Sequence, residues 1–132
     1  QDVRCHEIET RTNKTFRLNR IQHIETLNTQ WIYECYHRQV FTDIFMFSSE
    51  THYNVKLRLG QLAYNIFVEE YPHGAKYLSP ISEQDWLLNI EVCDFRGLGR
   101  FVLGLYLDID ILENDAFKAY IQKMLKAYSM KK

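Results

Sequence analysis

From His52 onward the hydrophobic period of the chain switches repeatedly between two and 3.6, and each switch marks an element. Tyr53, Val55, Leu57 and Leu59 alternate with Asn54, Lys56 and Arg58, the pattern of a strand with one face in a core. After Gly60, residues Leu62, Ala63, Ile66, Phe67 and Tyr71 form a helical stripe that Pro72-His73-Gly74 terminates. Tyr77 to Ile81 reads as a second strand, Ser82-Glu83-Gln84-Asp85 as a turn, and Trp86 to Val92 as a third strand. Asp94 is a good N-cap for a helix over about 95–105. That helix holds Gly97, Gly99 and Gly104. Each costs on the order of 1 kcal/mol relative to alanine, which close packing of the helix on a sheet would offset. Leu107 to Leu112 is a fourth strand, and Asn114 caps a last helix with Phe117, Ile121, Met124, Leu125 and Tyr128 as its buried stripe.

The order over 52–128 is therefore β-α-β-β-α-β plus a helix. In an α+β protein this is the ferredoxin-like split arrangement, with both crossover helices on one side of an antiparallel sheet. The composition can fill such a core: 46% of residues are hydrophobic, and only 5 Gly and 2 Pro argue against disorder. Apolar runs are too short to span a bilayer, so no membrane partner is expected. The N-terminus shows no charged-then-apolar signal pattern and does not begin with Met, so we expect a piece of a longer chain. Cys5, Cys35 and Cys93 are far apart and form no Cys-x-x-Cys, which fits a reducing cytoplasm.

Residues 1–25 read as two strands, Val3 to Ile8 and Thr15 to Glu25, around the polar turn Thr10 to Lys14. On a regular second strand Phe16, Leu18 and Arg20 share one face, and Arg17, Asn19 and Ile21 the other. Arg17 and Arg20 then address one ligand only across a bulge or a strong twist. Residues 26–51 read as a linker. The spacing of Val40, Phe41, Ile44 and Phe45 predicts a short helix near 38–47, ended by Ser48-Ser49-Glu50-Thr51.

Several runs carry a family resemblance. Thr15-Phe16-Arg17-Leu18-Asn19-Arg20-Ile21 resembles the closing Phe-Arg-Leu-Asp-Arg-Ile motif of the WYL domain, with Asn19 in place of the acid. Leu62-Ala63-Tyr64-Asn65, Glu69-Glu70-Tyr71-Pro72 and Gly97-Leu98-Gly99-Arg100-Phe101-Val102-Leu103-Gly104-Leu105 resemble WCX, the C-terminal extension that follows WYL in many bacterial transcription regulators. The resemblance covers nearly the whole chain, although the Trp-Tyr-Leu signature itself is absent. It implies that 1–25 are the last strands of a truncated WYL domain, a hairpin remnant of its small Sm-like barrel. Residues 26–51 are then the linker and 52–132 the WCX domain. The function implied is effector sensing and oligomerisation in a cytoplasmic, homodimeric regulator. A missing upstream domain would contact duplex DNA. The implied effector is anionic, a nucleotide or single-stranded nucleic acid, held by Arg17 and Arg20.

Arginine suits that task because its guanidinium donates bidentate hydrogen bonds to phosphate. Phe16, Tyr33 or Tyr36 would stack on a base. Lys14 and Arg100, the latter between helix glycines where a ligand approaches closely, complete the candidate ligand-binding set. The plainer reading has Arg17 and Arg20 bracing strands through Glu7, Glu9 or Glu25, and Arg100 simply exposed on its helix. Lys56 and Arg58 share a strand face and would extend a basic surface. A net charge of −1 argues against a stand-alone duplex binder. Asp108, Asp110 and Glu113 read as the wet face of an outer strand rather than a metal site. Cys35 and His37 lack the second pair that a tetrahedral site needs. There is no nucleophile elbow, phosphate loop or zinc-hydrolase pair, so neither an enzyme nor a cofactor is expected. The alternative function is a pure dimerisation or interaction module without a ligand.

Overall fold

Backbone pairing divides this chain into two units. The computed structural model describes residues 1–36 and 40–131, in a mixed helix and sheet, α+β arrangement. The units are Gln1–Val40 and Phe41–Lys132, so the expected 26–51 linker is shared between them.

In the first unit β1 (Asp2–Glu7) pairs antiparallel with β2 (Thr12–Arg17), Val3 opposite Phe16 and His6 opposite Asn13. Arg11, with φ 55°, sits in the turn between them. The strand predicted to run to Glu25 stops at Arg17. Asp2 and Arg17 are the last pair of the ladder, beyond which the Leu18 N–H donates to the Gln1 carbonyl at 3.0 Å. Leu18–Arg20 instead closes a 3-10 turn, the Ile21 N–H donating to the Leu18 carbonyl at 3.2 Å. A further 3-10 turn covers Glu34–Tyr36. None of residues 1–36 is buried.

The second unit opens with a tight hairpin, β3 (Phe41–Thr42) and β4 (Ser48–Ser49), where the apolar spacing predicted a helix. Residues 38 and 39 of that helix lie outside the described residues. Asp43 supplies the reason for the rest. It is 3% exposed, and its Oδ1 accepts from the backbone N–H of Phe45 at 2.9 Å and of Phe47 at 3.0 Å. A carboxylate bonded to the next N–H groups offers the backbone an alternative to helix. Met46, at φ 69°, completes the turn. The other oxygen of Asp43 accepts from the Cys93 N–H at 2.8 Å and ties the hairpin to the main sheet.

That sheet comprises β5 (Tyr53–Leu59), β6 (Leu78–Pro80), β7 (Trp86–Val92) and β8 (Ile109–Glu113). The strands lie in the order β6-β7-β5-β8, every neighbouring pair antiparallel. The helices are α1 (Gln61–Glu70), α2 (Phe95–Gly104) and α3 (Asp115–Met130). Val55 and Leu57 face Ile90 and Leu88 in register. With Leu59, Ala63, Phe67, Val92, Leu98, Phe101, Val102, Ile109, Phe117 and Ile121 they make one core. Of the stripes expected on the helices, Leu62 and Tyr128 are exposed. Tyr106–Asp108 form a 3-10 turn, so the last strand begins at Ile109 rather than Leu107.

The opposite sheet face is polar and paired. Arg58 bonds Asp85 and Asp110, each at 2.6 Å; Lys56 meets Glu113 at 3.2 Å and His52 meets Glu91 at 2.6 Å. Asp108 works elsewhere: its Oδ2 accepts the Ala63 N–H at 2.8 Å, and its carbonyl accepts the Gly60 N–H at 2.9 Å. Gly60, the N-cap of α1, has no side chain for that task.

Two of the three glycines of α2 pack closely, but not on the sheet. A Cβ on Gly97 would lie 2.4 Å from Cβ of Phe45 in the β3–β4 turn, and one on Gly99 would lie 2.6 Å from the Tyr120 ring of α3. No described helix is long and apolar enough to cross a membrane.

Candidate functional site

Arg17 ends β2 and Arg20 ends the 3-10 turn that follows, both exposed. Because the strand stops between them, strand alternation does not set the direction of Arg20. Neither guanidinium makes a hydrogen bond or ion pair among the described residues. Two of the three acids expected to brace them are engaged elsewhere, Glu7 with Lys14 at 2.8 Å and Glu25 with His23 at 2.8 Å, and Glu9 makes no ion pair with either arginine. Lys14, a third candidate, is thus a matched charge, and its ammonium lowers the Glu7 carboxyl below the usual range.

The same unit builds an aromatic cluster. The ring of His6 lies 5.0 Å from Tyr33 and 4.9 Å from Tyr36, nearly parallel to the latter. Asn13 fixes the arrangement. Its Oδ1 lies 2.9 Å from His6 Nδ1, and its Nδ2 donates to the Tyr36 carbonyl at 2.9 Å. These rings, with Ile8 and Arg11, line a cleft of about 510 Å³. Tyr33 and Tyr36 were candidate stacking residues; His6 was not singled out, because its partners lie beyond the hairpin in sequence. Phe16, the third candidate stacker, is 42% exposed.

Arg100 belongs to the second unit and is exposed on α2. It lines a cleft of about 460 Å³ together with Arg96 and Gly97, Tyr71, and Ile44 to Phe47 of the β3–β4 turn. Arg96 is held from two sides. Its guanidinium carbon stands 5.0 Å over the Phe47 ring, and it donates to both oxygens of Asp94 at 3.0 and 3.1 Å. The Asp94 carboxyl is correspondingly lowered, chiefly by that hydrogen bonding. Burial pushes the Tyr71 phenol up, and the nearby Glu70 carboxylate adds to the effect. Arg100 makes no ion pair among the described residues. A second cleft of about 310 Å³ shares Tyr71 and Arg100. The missed partner of Arg100 had a visible signal, since Arg96 and Arg100 are four apart on one helix.

The basic surface expected from Lys56 and Arg58 is neutralised by Glu113, Asp85 and Asp110. No three His, Cys, Asp or Glu among the described residues are grouped to hold a metal. Cys35 is exposed, and His37 lies outside the described residues. Comparison with family models, curated proteins and solved structures finds no match.

Proposed function

We propose that this chain is the effector-sensing and oligomerisation part of a bacterial transcriptional regulator, made of the end of a WYL domain and a WCX domain. The order β6-β7-β5-β8 with antiparallel neighbours supports reading 53–113 as a ferredoxin-like unit, extended by α3. The β1–β2 hairpin stands for the closing strands of the Sm-like barrel. On this reading the protein is a cytoplasmic homodimer without catalytic activity, and a domain upstream contacts duplex DNA.

The observation that carries the ligand assignment is the pair Arg17 and Arg20, two exposed cations without an acidic partner among the described residues. Permanent cations left unmatched are available for an anion, here a nucleotide or single-stranded nucleic acid. The His6, Tyr33 and Tyr36 rings in the same unit supply faces for bases. Calorimetric titration with nucleotides and short oligodeoxynucleotides tests this on wild type, Arg17→Ala and Arg20→Ala. Each charge-assisted contact contributes roughly 1.5–3 kcal/mol, so each variant should bind about tenfold more weakly or worse. Affinity should also fall as salt rises. Equal binding by wild type and both variants would remove these arginines from the site.

One observation favours the alternative of an interaction module. Ile24, Leu27, Trp31 and Ile32 are 59–73% exposed, a run of large apolar groups that a protein surface would cover. Concentration-dependent association with no ligand response would select that reading.

A further inference from the structure

The cleft between the β3–β4 turn and α2 is lined by the second unit alone and does not depend on the regulator reading. Its lining holds two guanidinium groups, Arg96 and Arg100, and no carboxylate. The chain as a whole carries a net charge of −1, so this local excess is not general basicity. Two like charges four apart on one helix disfavour the helix. Only Arg96 is offset by a neighbour, Asp94; Arg100 has no ion-pair partner among the described residues. The remaining lining is largely apolar and aromatic. Phe45 and Tyr71 meet edge to face at 4.9 Å, and Phe47 lies under Arg96. Apolar walls with an unmatched cation concentrate the field on whatever enters. Tyr71 adds a phenol hydroxyl donor, with no hydrogen-bond partner among the described residues. The volume of about 460 Å³ lies within the range of small-molecule sites.

We propose that this cleft binds a small aromatic anion, a ring bearing a carboxylate or a phosphate. Arg100 and the Tyr71 hydroxyl take the anionic group, and the ring lies against Phe47 and the guanidinium of Arg96. The architecture is prearranged for this. Asp94 fixes one edge of Arg96, Asp43 fixes the turn that carries Phe45 and Phe47, and Gly97 lets that turn close on the helix.

The test uses the whole chain and two probes, adenosine 5′-monophosphate for the phosphate arm and 4-hydroxybenzoate for the carboxylate arm. Adenosine and inorganic phosphate are the half-ligand controls. Binding is read by calorimetry, and the site by amide shift mapping. At least one probe should bind and move the amides of residues 44–47, 71 and 96–100, and its halves should bind at least about tenfold more weakly. Arg100→Gln, at an exposed position, should weaken the probe about tenfold, and Phe47→Leu about threefold or more. Lys118→Gln, at an exposed position on α3 outside both sites, should leave it unchanged, and shifts at residues 44–47, 71 and 96–100 separate this site from the one proposed above. The proposal is overturned if neither probe binds, if no shifts fall on residues 44–47, 71 and 96–100, if phosphate alone moves these amides as tightly as the nucleotide, or if they respond in Arg100→Gln as in wild type.

Discussion

A carboxylate that is 3% exposed requires donors around it, and Asp43 receives three backbone N–H groups, from Phe45, Phe47 and Cys93. Asp43→Ala should therefore destabilise the second unit by on the order of 3 kcal/mol, with Asp43→Asn less damaging, as measured by urea unfolding. Nothing in the sequence marked this residue. One of its partners lies 50 positions away, and the apolar spacing around it imitated a helix. Arg17 and Arg20, by contrast, stood out from their motif, yet only the structure shows that Glu7 and Glu25 are engaged by other partners. Asp85 has a different consequence. Its hydrogen bond to Arg58 lowers its folded pKa below the ordinary value. A lowered carboxylate pKa adds stability that is present above the unfolded value, about 4, and is lost as pH falls through the folded one. Acidification from pH 5 towards 2 should thus weaken the protein, and Asp85→Asn should flatten that acid limb in thermal melts.

At the scale of elements, α2 shows how one sequence signal can have several causes. Gly97 and Gly99 allow close approach of the β3–β4 turn and of α3, whereas a Cβ on Gly104 would meet nothing within 4 Å. Gly97→Ala should cost roughly 1–3 kcal/mol through collision with Phe45, despite alanine's better helix propensity. Gly104→Ala should stabilise by about 0.5–1 kcal/mol. Chemical denaturation of both variants separates the two glycines that the sequence presented alike. The helices and long strands were readable because a single face of each is buried, as in Val55, Leu57 and Leu59. The end of β2 was not, because the strand-like alternation of Phe16, Leu18 and Arg20 carries on past Arg17 into a 3-10 turn. The β3–β4 hairpin was hidden for a related reason: a two-residue strand has no period to display.

At the scale of the whole molecule, burial is unevenly shared. Every buried apolar residue among those described lies between Val55 and Ile121, and the first unit has none. A two-stranded hairpin is marginal by itself. Amides of β5 and β7 should therefore exchange with solvent far more slowly than those of β1, and equal protection in a demonstrated monomer would contradict this division. The order of the larger sheet was accessible from the sequence only as an expectation, since pairing of β5 with β8 joins residues fifty or more positions apart. That long connection matters most at Asp108, which holds both Gly60 and Ala63 at the start of α1. During synthesis, the first helix of this sheet emerges well before the aspartate that finishes its N-terminus. Until the ribosome has delivered β8, α1 has an open first turn and the sheet an unfilled edge beside β5. The early part of the chain thus waits on the late part for these two hydrogen bonds.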